Sequence, residues 1–237
     1  MLIESIFSLQ GLISLFTLAL LEIVLGIDNI IFISLVTQDL EQQKQPLARR
    51  LGLILALVFR VLMLLGITWL IGLTAPVFSI GEHPVSGRDL ILFLGGAFLL
   101  GKASTEIFHK TEGHKKKENA KAKSVASAIV QIGLLDIVFS FDSVLTAIGM
   151  TKEIGVMIAA VVISMIVMLA FAEPISAYIS AHISLQILAL SFLILIGTVL
   201  IAESAHVEIP KPYVYCSVGF ALIVQLLSIR AAERKSK

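Results

Sequence analysis

LLEIVLGIDNIIFISL, Leu20–Leu35, is an apolar run that carries two carboxylates, Glu22 and Asp28, with Asn29 beside the second. A near-copy, LLDIVFSFDSVLTAIG, stands at Leu134–Gly149. At a constant offset Glu22 falls on Asp136, Gly26 on Ser140, Asp28 on Asp142 and Asn29 on Ser143. A charge at the centre of a membrane span costs roughly 2.5–3.5 kcal/mol on insertion scales, so four unpaired acids would cost on the order of 10–14 kcal/mol. Acids kept in two matching places at that cost point to use.

Of the 237 residues, 57% are hydrophobic and 15% charged, against about 45–50% and about 25% in soluble domains. The chain reads as an all-α polytopic membrane protein. Spans need about 20 mostly apolar residues, and seven stretches qualify: 11–37, 51–74, 89–109, 125–150, 154–175, 184–204 and 212–230. Glu173-Pro174 cuts the fifth, where proline is expected to kink or end the helix. A net charge of +1 implies no nucleic-acid partner. Cys216 is the single cysteine, which excludes an intramolecular disulfide and a thiolate metal cluster. Glu4 and the lack of an early lysine or arginine make a cleaved secretory signal unexpected.

Basic residues set the expected orientation. Lys44, Arg49 and Arg50, seven lysines between Lys102 and Lys123, and Arg230, Arg234, Lys235 and Lys237 all fall on one side of a seven-span chain. The other side has Arg88, Lys152 and Lys211. The N-terminus is therefore expected outside and the C-terminus in the cytoplasm. HKTEGHKKKENAKAKS, His109–Ser124, reads as a solvated cytoplasmic linker; His109 and His114 in it carry no spacing that demands a metal.

That linker, about 110–124, divides the chain into a first half of about 11–109 and a second of about 125–206, with a seventh helix at about 212–230. Three spans per half is an odd number, so the second half crosses the membrane in the opposite sense. This is the inverted-repeat plan of many secondary transporters, whose sites lie near the midplane. The third and sixth spans repeat as well: Gly101 matches Gly197, and Glu106-x-x-His109 resembles Glu203-x-x-His206. Six residues rise about 9 Å along a helix. Antiparallel first and fourth spans would thus set Glu22 level with Asp142, and Asp28 level with Asp136.

Six residues also turn a helix by about 600°, leaving the two acids of one span about 120° apart. To aim both at one ion the helix must unwind, and Gly26 is the expected place, since glycine tolerates non-helical dihedrals. Arg60 in the second span is expected to neutralise one acid. The remaining oxygens, with Asn29 and Ser143, suit a hard divalent cation such as Mn²⁺, Mg²⁺ or Ca²⁺. Rival readings are helix–helix glue and a proton relay without metal. Glu106, His109, Glu203 and His206 have the i, i+3 spacing of helix-bundle metal sites. Their place near helix ends suits ordinary interfacial polar residues first, and a ligand or gate role second. Met157, Met165 and Met168 read as packing or lipid-facing side chains. No nucleotide, haem or hydrolase motif and no nucleophile is visible, so neither an enzyme nor a bound cofactor is expected.

The doubled motif EIVLGIDNIIFISL and DIVFSFDSVLTAIGM, with LGKASTEIFH and with LIGTVLIAES followed by IPKPY, resembles the TerC family of integral membrane proteins. The resemblance covers about residues 7–230. It implies a bacterial inner-membrane protein related to LysE-superfamily exporters, with Mn²⁺ efflux as the activity and Glu22, Asp28, Asp136 and Asp142 as ligands. Ser143 stands where the first motif has Asn29, so the halves need not bind alike. Some relatives carry soluble domains after the membrane part, and none is seen before Lys237. Expected partners are the lipid bilayer, the divalent cation, and a second copy or a membrane protein that this chain serves as a non-transporting accessory.

Overall fold

The computed structural model describes residues 8–81, 83–112, 124–207 and 209–235. Within its helices the side chains of Ile27, Asp28, Asp142 and a few others lie outside the description, as does most of the lysine-rich linker with His114. The elements are α1 (Leu9–Thr37), α2 (Gln45–Leu65), α3 (Ile67–Gly72), β1 (Pro76–Ile80), β2 (His83–Ser86), α4 (Gly87–Thr111), α5 (Val125–Met150), α6 (Ile154–Ala181), α7 (Ile183–Ser204) and α8 (Lys211–Lys235).

Among the described residues, six helices are long and apolar enough to cross a membrane: α1, α4, α5, α6, α7 and Pro212–Ala231 within α8. Large apolar side chains such as Phe16, Trp69, Phe171 and Phe220 stand exposed on them or beside them, which suits lipid rather than water. Hydrocarbon offers the backbone no partner, and helices satisfy theirs internally. The chain is an all-α polytopic membrane protein.

Several boundaries differ from the expected ones, each for a local reason. The second expected span is two helices. Its α2 carries Arg49, Arg50 and Arg60, and it ends at Gly66, after which α3 adds six residues. An antiparallel hairpin, β1–β2, follows, turning at Gly81 with φ +63°. Pro174 does not end the fifth span, because α6 runs through it to Ala181. Proline removes one donor, that to the Ala170 carbonyl, and the flanking turns persist.

Two compact units divide the described chain. The first holds α1–α3, the hairpin, α5 and α6 to Tyr178; the second holds α4 from Arg88, α7 and α8. In the first unit α5 packs along both α1 and α2. Serine caps open its two acid-bearing helices: Ser8 accepts from the Gly11 N–H at 2.9 Å, and Ser124 from the Ser127 N–H at 3.1 Å. Met157, Met165 and Met168 of α6 are buried. In the second unit α4 and α7 meet at glycines. A Cβ on Gly96 would lie 2.6 Å from the Gly197 carbonyl oxygen, and one on Gly197 would lie 2.9 Å from that of Gly96. Bare glycine is what permits this approach. Gly101, the sequence counterpart of Gly197, has nothing within 4 Å.

Candidate functional site

Glu22 and Asn29 are seven residues apart on α1, two turns, so they share one helix face. Asp136, Ser140 and Ser143 share a face of α5 at i, i+4 and i+7. Each series is set among apolar residues, so packing α1 on α5 turns both polar faces inward. All five residues are buried.

The two faces meet antiparallel. Asn29 Nδ2 donates to Asp136 Oδ1 at 3.3 Å. The Ser143 hydroxyl lies beside the Glu22 carboxylate and donates to the Ser140 carbonyl at 3.2 Å. Contacts therefore run from the early acid of one motif to the late polar residue of the other, in both directions. Ser140 Oγ donates to Asp136 Oδ2 at 3.0 Å.

Arg60 reaches between the faces from α2. Its Nη1 donates to Glu22 Oε2 at 2.5 Å, and its Nη2 to Asp136 Oδ1 at 2.9 Å. Nε adds 3.3 Å contacts to both Asp136 oxygens. It thus neutralises two acids partly, not one acid fully as expected. A forked guanidinium can grip two carboxylates at once, which sequence spacing does not reveal.

Asn29 has a further consequence. Its NH₂ must face the Asp136 carboxylate, because the amide oxygen there would be repelled. Oδ1 consequently points away, and it is buried without a hydrogen-bond partner among the described residues. An orphaned buried acceptor costs about 1–3 kcal/mol, and a cation is one group that would satisfy it.

Gly26 does not unwind α1, which is helical from Leu9 to Thr37. A Cβ there would lie close against Met168 Sδ of α6. The residue is small because α6 presses on it. Asp28 and Asp142 sit within α1 and α5, and their side chains lie outside the described residues. Among the described residues, no three His, Cys, Asp or Glu side chains stand together to hold a metal ion.

A second buried polar group joins α1, α2 and α6. Arg49 Nη1 donates to Ser176 Oγ at 3.0 Å, and Ser176 donates to Ser34 Oγ at 2.9 Å. Arg50 stands 3.5 Å from Glu173 at the exposed edge. Sequence reading used Arg49 and Arg50 only as orientation signals.

In the second unit neither Glu-x-x-His motif closes on itself. Lys102 Nζ donates to Glu106 Oε1 at 2.5 Å, and His109 packs edge-on to Phe108. Glu203 faces Arg88 at 3.8 Å, and His206 Nε2 lies 3.1 Å from Asp89 Oδ2. Asp89, buried, was missed by sequence reading; an acid in the first turn of a helix looks like an ordinary dipole partner. His206 has φ +60°. Its N–H donates to the Glu203 carbonyl and that of Val207 to the Ala202 carbonyl, both at 3.0 Å, a helix stop that glycine usually makes.

Known proteins share this chain's sequence over most of its length. It matches the integral membrane protein TerC family over residues 7–237. A UPF0053 protein of Haemophilus influenzae is 46% identical over 223 residues, 93% of this chain and 94% of that protein. The UPF0053 inner membrane protein YgdQ of Escherichia coli is 49% identical over 213 residues, 90% of each chain. The E. coli UPF0053 inner membrane protein YoaE is 43% identical over 90% of this chain, which spans 42% of that longer protein. No solved structure matches. The chain belongs to the TerC family of integral membrane proteins.

Proposed function

We propose that this protein is a secondary transporter that exports a hard divalent cation, Mn²⁺ first, along the polar seam between α1 and α5. The observation that carries the reading is the buried meeting of Glu22, Asp136 and Asn29, with an amide oxygen left without a donor among the described residues. Carboxylate, amide and hydroxyl oxygens suit Mn²⁺, Mg²⁺ or Ca²⁺, and the family resemblance favours Mn²⁺. Asp28 and Asp142 complete the proposed ligand set, with Ser143 contributing a neutral oxygen.

The reciprocal contacts between α1 and α5 are those that two oppositely oriented halves would make. We read the chain as seven spans, α2 with α3 supplying the seventh, in a three-plus-three inverted repeat with α8 added. The N-terminus is outside and the C-terminus cytoplasmic in the inner membrane. Glu106, His109, Glu203 and His206 then lie at opposite ends of the repeats, as gate residues. Proton exchange on the same carboxylates supplies the coupling.

Arg60 favours a second reading. A guanidinium already seated on two acids is also what static helix glue looks like, and such a protein would serve a membrane partner without carrying ions. Purified protein in liposomes loaded with a Mn²⁺-sensitive dye separates the two. Flux supports the transporter, and its loss in Asp28→Asn or Asp142→Asn supports the ligand set. Absence of flux for every divalent metal tried contradicts it.

A further inference from the structure

We infer that Arg60 is the resident counter-cation of the ion site: its guanidinium holds the place between Glu22 and Asp136 that the divalent substrate takes, and the two exchange. The inference rests on the transporter reading and adds a competitor to it.

Geometry carries the argument. Arg60 comes from α2, while the two acids come from α1 and α5. Its fork reaches Glu22 through Nη1 and Asp136 through Nη2 and Nε, with all three side chains almost wholly buried. Lysine, a point charge on a flexible stem, could not span both acids with fixed geometry. A cation that grips both carboxylates competes for Glu22 Oε2 and the two Asp136 oxygens, which the guanidinium holds. Guanidinium and metal therefore cannot both have them.

Between ions, two bare carboxylates in a low-dielectric interior would be strongly unfavourable. Arg60 offsets part of that cost and leaves one negative charge for a proton, so the unloaded site can persist and reorient. It also weakens ion binding, since each arriving cation must displace it. A transport site must bind well enough to load and weakly enough to unload. Asn29 donates to Asp136, and its Oδ1, without a hydrogen-bond partner among the described residues, is an acceptor left over for an arriving cation.

The test measures Mn²⁺ binding by titration of the free-ion EPR signal, and Mn²⁺ flux in liposomes, with the full chain. Arg60→Gln is expected to bind Mn²⁺ at least about tenfold tighter and to carry it more slowly, because release is no longer assisted. A merely structural arginine would lose binding when replaced, not gain it. If Arg60→Gln does not fold, Arg60→Lys keeps the charge and loses the fork; it is expected to tighten binding by a smaller factor. Unchanged or weaker binding in a folded variant, with wild-type transport intact, overturns the inference alone. Wild-type protein that neither binds nor carries Mn²⁺ overturns the transporter reading and this inference with it.

Discussion

Glu22 and Asp136 depend on one guanidinium, so the three side chains stand or fall together. Removing one partner of a buried ion pair costs about 3–5 kcal/mol, because the remaining charge is stranded. Asp136→Ala should lose stability of that order in thermal unfolding in detergent. A loss below about 1 kcal/mol, the level of an exposed pair, would mean that the cluster is wetter than its burial implies. Asn29→Leu should behave differently. It gives up a hydrogen bond to a charged group, worth about 1.5–3 kcal/mol, but also removes an orphaned oxygen that costs about 1–3 kcal/mol, so the two effects offset. Stability should move by less than about 1.5 kcal/mol while Mn²⁺ affinity falls about tenfold. Undiminished affinity would remove Oδ1 from the ligand set. At this scale the sequence announced Glu22 and Asp136, because acids in an apolar run stand out. It did not announce Asp89 or the second contact of Arg60, because each depends on a partner distant in the chain.

Helices are held at their crossings by what glycine leaves out, and two crossings should respond in opposite ways to rescue. Gly26→Ala pushes a methyl into Met168 Sδ, the end of a flexible side chain. Overpacking of this kind costs about 1–3 kcal/mol, and Met168→Ala should restore most of it in a double-mutant cycle. Gly96→Ala drives its methyl at the Gly197 carbonyl, 2.6 Å away. No side-chain change can relieve that, so trimming Ile201 should recover little. Full rescue there would show that the wall is not backbone.

The end of α7 gives a related comparison. His206 holds a left-handed conformation that costs roughly 1–2 kcal/mol for a residue with a Cβ. Both His206→Gly and His206→Ala lose the Asp89 contact, but only alanine keeps the strain. The glycine variant should therefore melt higher by about that amount, and equal melting would refute the strain. Among elements, α5 was legible to the residue, from Val125 to Met150. Gly26 was misread because close packing and unwinding ask for the same residue, and only the neighbour, Met168, tells them apart. The break at Gly66 and the β1–β2 hairpin escaped notice since each is shorter than the window in which an apolar span is recognised.

Across the whole molecule, the doubled motif read from sequence becomes a seam: two acid-bearing faces packed antiparallel with a cation from α2 between them. Each proposed half gives its first two spans to one compact unit and its third to the other. Offsets along a sequence could not supply that partition, since it depends on which faces pack. The lysine and arginine distribution predicts a cytoplasmic C-terminus. A reporter fused after Lys237 that is active only in the periplasm should stay silent, and strong activity would reverse the topology.

Mn²⁺ flux through purified protein in liposomes shows whether the buried seam of α1 and α5 conducts a divalent ion. Wild-type protein should carry Mn²⁺, and folded Glu22→Gln and Asp136→Asn should each lower the rate by at least about tenfold. Wild-type rates in both folded variants would contradict the account.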